Sequence, residues 1–197
     1  MLLLLFPRLA YRRAVHRAGL ARPDALWTQT RAIRSGLPPP QRVGLPGLAL
    51  MLRYMAWSRA LYQALCESGL TPDAAGAMVR QVNWSIFGPG IGVAFSITRL
   101  RGIEPLPRVR LVTDLLFTLL FTRPFRRHPL ADGGNVSFEV TACPLADYFK
   151  AQGMPQLTHH AACSLDFLMA RDWGVSLSRE RTIANGYPLC DFRFHKS

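Results

Sequence analysis

The hydrophobic pattern of this chain changes its period near residue 123, and this change constrains the fold more than any other feature. Before it, apolar residues recur at helical spacing, most clearly over residues 48–68. After it, the segment 135–143 (NVSFEVTAC) alternates apolar with polar side chains, which is typical of a half-buried strand. The pattern predicts an α+β protein whose helical N-terminal two-thirds pack on a small antiparallel sheet with two helices and a C-terminal β-hairpin.

A proline- and glycine-rich run, GLPPPQRVGLPG over residues 36–47, interrupts the helical pattern and is typical of a linker. The residues before it are helical in pattern and strongly basic. We therefore expect residues 1–47 to form a basic helical N-terminal extension with a Pro/Gly-rich linker. Residues 48–197 are expected to form a single α+β domain, with its cysteine-bearing core at residues 133–197.

Capping signals set the expected ends of the later helices. Thr71 supplies an N-cap oxygen, Pro72 suits the first helical position, and Asp73 places a carboxylate at the positive end of the helix dipole. We expect this helix to end near Phe87, where Gly-Pro-Gly follows. The remaining helices are expected over residues 108–122, 144–153 and 155–173.

The net charge of +12 is unevenly distributed. Residues 1–127 contain 18 arginines against five acidic residues, a net charge of +13, whereas residues 128–197 carry a net charge of −1. The arginines are spread through apolar helical stretches without a nucleic-acid-binding motif, so we expect no nucleic-acid partner. The charge favours instead a peripheral membrane surface or another anionic partner in contact with the Arg-rich N-terminal region.

No segment predicts secretion or a membrane span. The opening MLLLLF is apolar for only six residues before Pro7, whereas a signal peptide needs an apolar run of ~7–15 residues. The apolar run over residues 111–122 contains Asp114 and falls short of the ~20 residues that cross a bilayer. We expect a cytoplasmic protein with reduced cysteines, with membrane association as the further alternative.

Cys143 ends the predicted strand and directly precedes Pro144, at the start of a predicted helix. The positive end of a helix dipole favours the thiolate form, which is the better nucleophile and the better metal ligand. Free cysteine is also among the most buried residue types, so a plain core residue is the alternative interpretation.

The next helix carries a second group of reactive side chains. His159, Cys163 and Asp166 are spaced i, i+4, i+7 and share one stripe, and His160 lies three residues before Cys163. An imidazole, a thiol and a carboxylate in line suit either a metal held by N, S and O ligands or a thiol activated by its neighbours. A surface histidine and aspartate beside a buried cysteine is the alternative without a function.

The dipeptide Asn185-Gly186 lies between two strand-like runs and predicts a hairpin with a two-residue turn. Such a turn places Arg181 opposite Cys190 and Arg179 opposite Phe192, on one face of the hairpin. An arginine beside a thiol favours the thiolate and can bind a carboxylate through two parallel hydrogen bonds. Pro188 in the second run cannot donate to the ladder, which implies an edge position or a bulge, and a bulge would shift this register by one residue.

Together these residues resemble the core of the L-2-amino-thiazoline-4-carboxylic acid hydrolase family. The resemblance extends over residues 133–194 and rests on motifs in the correct order: Cys143-Pro144, Cys163 with Asp166, Arg181-Thr182, Gly186 and Cys190-Asp191-Phe192. A more distant likeness is to four-vinyl-reductase-type ligand-binding domains, which also end in cysteine-bearing hairpins. That likeness implies a helix-flanked antiparallel sheet around a ligand pocket.

The family resemblance implies a hydrolase-like enzyme that opens a small cyclic C–N/C–S compound of the 2-aminothiazoline-carboxylate type. In one arrangement a cysteine, Cys163 or Cys143, is the nucleophile. His159 or Asp166 then moves protons. The substrate-binding side chains of this arrangement are Arg181 and His160.

In the other arrangement Cys143, Cys163 and Cys190 hold a zinc or other divalent metal ion, with Asp166 or His159 completing the site or activating a water. The alternative class of function is a non-catalytic module that binds a small ligand, contains a structural metal site and contacts a membrane surface. Both classes imply a small-molecule partner, and the sequence leaves the oligomeric state open.

Overall fold

A computed structural model of the protein describes residues 6–20, 22–38 and 46–197, except for the side chain of Arg101. Most of the apolar opening and most of the predicted linker therefore lie outside the described residues. The helices are α1 (Pro7–Arg17), α2 (Pro23–Gly36), α3 (Pro46–Glu67), α4 (Pro72–Ile97), α5 (Pro105–Leu119), α6 (Pro144–Ala151) and α7 (Ser164–Asp172). The strands are β1 (Arg126–Leu130), β2 (Val136–Ala142), β3 (Val175–Ser178) and β4 (Cys190–Lys196). This arrangement confirms the predicted α+β class.

The four strands form one antiparallel sheet in the spatial order β1-β2-β4-β3. Strand β2 is the predicted alternating strand, and its residues Val136, Phe138 and Val140 are buried. Strand β1 was not expected, because its composition is basic and it contains Pro129. It lies at the edge of the sheet, where a proline costs no shared ladder hydrogen bond.

The C-terminal hairpin is confirmed, but its predicted turn is wrong. Ser178 pairs with Arg193 in the expected register, and the chain then leaves the ladder for residues 179–189. Within this loop a 3-10 turn, Ile183–Asn185, is capped by the Thr182 side chain, which accepts from the Asn185 N–H at 3.2 Å. Gly186 ends the turn with a φ of 88°. The dipeptide thus closes a one-turn helix.

Helix α4 runs ten residues beyond its predicted end at Phe87 and passes through Pro89. A proline inside a helix removes one hydrogen bond to the preceding turn, which is why the sequence predicted a stop. The added turns bury Phe95, which stacks on Trp173 of the C-terminal part at a ring distance of 5.2 Å. Burial of an aromatic ring stabilises by about 1.5–3 kcal/mol and its stacking adds about 0.5–1.5 kcal/mol, which together are comparable to the ~3 kcal/mol that an interior proline costs.

Two adjoining hydrophobic clusters form the core. In the first, Tyr11 of α1 and Trp27 of α2 pack with residues of α3, α4 and α6. In the second, the sheet packs against α5, α7 and the end of α4. A close backbone contact also joins α3 to α5, since a Cβ at Gly47 would lie 1.8 Å from the carbonyl oxygen of Leu119.

None of the helices within the described part of the chain is long and apolar enough to cross a bilayer.

Candidate functional site

Cys163 ends a π-helical turn, His159–Cys163, that interrupts the helix predicted over residues 155–173. The N–H of Ser164 donates to the carbonyl of His159, five residues back. A π turn holds one residue more than an α-helical turn and is often found at functional sites. It shifts the positions that follow, so the predicted i, i+4, i+7 stripe is not a regular α-helical one.

Two side chains from distant parts of the chain donate to carbonyl groups of this turn. The Asn83 amide in α4 donates to the carbonyl oxygen of Ala161 at 2.8 Å. The Arg179 guanidinium, just after β3, donates to the carbonyl oxygen of Cys163 at 2.8 Å. The turn that carries Cys163 is therefore positioned from both the helical part and the sheet.

Arg179 lies at the centre of the candidate site. Its Nη1 donates to the carboxylate of Asp166, and its guanidinium lies 5.0 Å from the Phe167 ring centroid and 4.8 Å from that of Phe192. Only 2% of its side chain is exposed. Burial acts to lower the pKa of Arg179, but Asp166 and Cys163 act against it, and the net pKa is raised. The site thus contains a permanent buried cation.

Asp166 is the partly buried acid of the site, with 21% of its side chain exposed. Burial raises its pKa above the ordinary value for aspartate, while the charge and hydrogen bond of Arg179 act in the opposite direction. A carboxyl group with a raised pKa takes up a proton more readily than an ordinary aspartate. Such groups are suited to general acid–base chemistry near neutral pH.

The three candidate thiols lie within electrostatic reach of one another. Cys143 precedes α6, Cys163 ends the π turn, and Cys190 begins β4, where the Ile183 N–H donates to its sulfur at 3.3 Å. Burial raises the pKa of all three thiols, and Cys143 and Cys190 raise that of Cys163 further. All three are therefore protonated thiols at neutral pH.

The predicted thiolate at Cys143 does not form. The amide groups of Ala146 and Leu145, at the start of α6, act to lower its pKa as the sequence suggested. Burial outweighs them and raises the pKa of Cys143 to about 12, because desolvation penalises the charged form. Of the two interpretations that the sequence left open for Cys143, the structure therefore favours the core residue over the activated thiolate.

We expect the native protein to lose stability as pH rises above about 9. The pKa of Cys143 is raised from 9.0 to about 12, so between these values the native thiol keeps a proton that the unfolded chain releases. Each such thiol lowers the free energy of unfolding by up to about 1.4 kcal/mol per pH unit in this window. Urea denaturation from about pH 8 to about pH 10.5 measures this slope.

The slope should be smaller in Cys143→Ala, which removes one of the retained protons, and also in Cys163→Ala. Comparing each variant with the wild type separates the contribution of the thiols to the slope from that of the buried tyrosines, whose pKa values are also raised. Identical slopes in the wild type and Cys143→Ala would contradict the assignment of a buried neutral thiol.

The predicted metal site is not supported by these side chains. Among the residues that the structure describes, no group of three or more His, Cys, Asp or Glu side chains is arranged to hold a metal ion. A cation beside Cys163 and Asp166 would also compete with Arg179, which already compensates the carboxylate there. The zinc hypothesis does not fit this arrangement, and no chemical step below uses a metal.

The two adjacent histidines lie in different surroundings. His159 is exposed, and its pKa is lowered by partial burial, by His160 and by Arg179, so it remains within electrostatic reach of the site. His160 packs on α4, where a Cβ at Gly76 would lie 2.5 Å from its Cδ2 atom. Its pKa is lowered by burial and by a nearby arginine of α4. Glycine at position 76 is what admits the His160 ring.

Arg181 pairs with Asp191 and does not face Cys190 as predicted. Its backbone N–H donates to the Asp191 carboxylate at 2.7 Å, and its Nε lies 3.4 Å from the same carboxylate. The Asp191 N–H donates back to the Arg181 carbonyl at 3.2 Å, which shifts the register by one residue. Arg179, not Arg181, is the cation whose charge acts to lower the pKa of Cys163 and Cys190, against the effect of burial. The expected alternation placed Arg179 and Arg181 on the same face of the hairpin, so the sequence did not show which of the two acts on the thiols.

Comparison with known proteins supports the class that the residues suggested. Residues 110–194 match the family model for L-2-amino-thiazoline-4-carboxylic acid hydrolase, which confirms the family resemblance of the C-terminal region. The matched segment runs from α5 to β4 and contains every candidate site residue. No curated protein shows a significant sequence match to the chain.

The fold as a whole is similar to that of two solved structures. One is a crystal structure of the Fe(II) unliganded H-NOX protein from K. algicida, with a TM-score of 0.51, 9% identity and 96% of both chains covered. The other is a mutant of that protein, with a TM-score of 0.52, 11% identity, and 98% of this chain and 95% of that chain covered. At such low identity the likeness shows a shared fold and nothing about ligands.

Proposed function

We propose that the protein is a hydrolase-like enzyme that opens a small cyclic amidine or isothiourea bearing a carboxylate, of the 2-aminothiazoline-carboxylate type. The observation that carries the proposal is the buried Arg179–Asp166 pair beside Cys163, inside the region that matches the hydrolase family. A thiol, a carboxyl group of raised pKa and a fixed cation are the groups that such a ring opening requires.

The reacting carbon lies between one sulfur and two nitrogens, so it needs a nucleophile on one side and a proton donor on the other. In the proposed reaction the sulfur of Cys163 attacks this carbon while Asp166 accepts the thiol proton. The bond to the ring nitrogen then breaks, and Asp166 returns the proton to that nitrogen. Water attacks the enzyme-bound carbon, and the carbamoyl product leaves as Cys163 regains its proton.

The raised pKa values of both groups are consistent with this order of events. Because the pKa of Cys163 is raised by burial, its proton must leave as the bond to carbon forms. Because the pKa of Asp166 is raised as well, this carboxylate is a stronger base than an ordinary aspartate. In this proposal Arg179 holds Asp166 in place and is a positioning residue.

Substrate binding is proposed for side chains at the exposed margin of the site. The Arg181 side chain is 45% exposed, and its guanidinium has further N–H donors with which to bind a substrate carboxylate. His159 is exposed on the π turn and is proposed to exchange protons with solvent. His160, packed on Gly76, is proposed to contact the substrate only through its partly exposed ring edge.

Replacement of the proposed nucleophile is the decisive test. We expect Cys163→Ser to reduce the rate of ring opening of 2-aminothiazoline-4-carboxylate at least about 10²-fold, as for loss of a group that acts in the transition state. Cys66→Ser is the matched control, because Cys66 lies in α3 outside the matched segment. Chromatographic detection of the carbamoyl product measures the rate. An undiminished rate in Cys163→Ser would exclude this cysteine as nucleophile.

A non-catalytic module that binds a small ligand is the second candidate function. It is favoured by the burial that keeps all three thiols protonated, since a protonated thiol is a weak nucleophile. Assay of 2-aminothiazoline-4-carboxylate together with a panel of cyclic thioureas and lactams separates the two functions. Saturable binding by calorimetry without turnover of any compound would replace the enzyme by a binding module.

A further inference from the structure

One surface of the helical part exposes large aliphatic side chains to water. We call it the outer face; it consists of Val93, Ile97, Leu100, Ile103, Leu111, Leu115 and Leu119. Leu100 and Ile103 are 89% and 85% exposed. These residues lie on the end of α4, in the connection to α5, and on α5 itself. Several large aliphatic side chains exposed on neighbouring elements of a globular protein favour an interaction site.

Helix α5 is apolar on two sides. One side packs in the core, and the other side belongs to the outer face. Val109 and Val112 point into the second hydrophobic cluster and are buried. Leu111, Leu115 and Leu119 recur at every fourth position and are 36%, 46% and 56% exposed, so they form a second stripe along the helix. The inner stripe packs in the core of the protein, whereas the outer stripe remains exposed and is available to a partner.

The charge around the outer face is positive. Residues 91–127 contain seven arginines and only two acidic residues. Exposed arginines are adjacent to the aliphatic residues in the chain: Arg99 precedes Leu100, and Arg110 precedes Leu111. Arg123 is exposed just after the end of α5.

Both acidic residues of this segment are already paired. Glu104 lies 3.1 Å from the amino group of Lys196, and Asp114 lies 2.7 Å from the guanidinium of Arg127. Arg110 donates to the carbonyl oxygen of Asn135 at 3.3 Å, but within the described part of the chain Arg99, Arg110 and Arg123 have no carboxylate partner. Such a surface, apolar with free positive charge, is complementary to a membrane surface, where anionic headgroups lie above an apolar interior.

We propose that the outer face docks on a bilayer that contains anionic phospholipids. The aliphatic side chains enter the boundary between headgroups and acyl chains, and the arginines contact lipid phosphates and carboxylates. The charge argues against a second copy of this chain as the occupant, because a symmetric contact would bring identical arginines together. The proposal does not depend on the hydrolase reaction. It places the surface that contacts an anionic partner on α4 and α5.

Vesicle co-sedimentation of the full-length protein tests the proposal. The protein should bind vesicles of phosphatidylcholine with phosphatidylserine more tightly than vesicles of phosphatidylcholine alone, and high salt should weaken the binding. Leu100→Ser with Ile103→Ser should weaken binding about tenfold or more, since each removes an aliphatic side chain from the lipid. Tyr187→Ser is the matched control, because Tyr187 is 48% exposed but lies in the loop before β4.

Circular dichroism and thermal melts establish that the double variant is folded. Equal vesicle binding by the wild type and the double variant overturns the proposal, and so does the absence of binding to either vesicle. Light scattering in solution tests whether a second copy of this chain covers the outer face instead. A dimer that the double variant converts to a monomer, with vesicle binding unchanged, assigns the outer face to self-association.

Discussion

Replacing Arg179 with methionine should lower the free energy of unfolding by about 3–5 kcal/mol, the cost of removing one partner of a buried ion pair. The Arg179 side chain is 2% exposed, and its partner Asp166 is 21% exposed, so the remaining carboxylate would have little access to water. The carbonyl of Cys163 would lose its guanidinium donor as well. Denaturant unfolding of the purified variant measures the change.

A double-mutant cycle separates the pair from the loss of side-chain packing. Arg179→Met combined with Asp166→Asn should be more stable than the sum of the two single changes by about 2 kcal/mol, since neither charge is then left alone. The matched control is the surface pair Arg171–Asp172, with side chains 68% and 45% exposed, where the coupling should stay below about 0.5 kcal/mol. Equal coupling in the two cycles would mean that the buried pair makes no special contribution.

Replacing Asn83 with alanine should lower the free energy of unfolding by about 2–4 kcal/mol, because buried partners lose their hydrogen bonds. Asn83 is fully buried. Its amide donates to Ser58 Oγ at 3.0 Å and to the Ala161 carbonyl at 2.8 Å, and its carbonyl oxygen accepts from the Tyr11 hydroxyl. These contacts join α1, α3 and α4 to the π turn beside Cys163.

The donor role of Asn83 can be tested without creating a cavity. Asn83→Asp keeps the shape but removes the amide donor to Ala161, so it should destabilise at least as much as the alanine variant. Ser85→Ala, on the same helix, removes a bond only to the carbonyl of Val82 and should change stability by less than about 0.5 kcal/mol. A mild effect of Asn83→Asp would show that the π turn does not depend on this donor.

The elements that were predicted correctly depend on short-range patterns. Strand β2 follows from alternation within seven residues, and the start of α4 follows from Thr71, whose side chain accepts from the Ala74 N–H at 3.3 Å. The end of α4 was wrong because the local signal at Pro89 is outweighed by the packing of Phe95 on Trp173. That contact joins residues 78 positions apart in the chain, and no local pattern reports it.

In the candidate site, too, the sequence predicted the features that depend on neighbouring residues and missed those that depend on distant ones. Cys163 and Asp166 were expected on one helix because their spacing is local. The π turn was not expected, because its carbonyl groups are held by Asn83 and Arg179 from elsewhere in the chain. The sequence left open whether Cys143 is a thiolate or a core residue for a related reason, since the helix dipole is local but burial depends on the whole fold.

The sequence by itself determined the α+β class and the family resemblance of the C-terminal region. Periodicity, capping and motif order are properties of neighbouring residues, and they survive without a tertiary structure. Only the tertiary structure decided that the charge of Arg179 rather than Arg181 acts on Cys163 and Cys190, and that desolvation keeps the thiols protonated. The first outcome depends on the one-residue shift in register between Arg181 and Asp191, and the second depends on desolvation of the thiols. Both arise only when segments distant in the chain pack together.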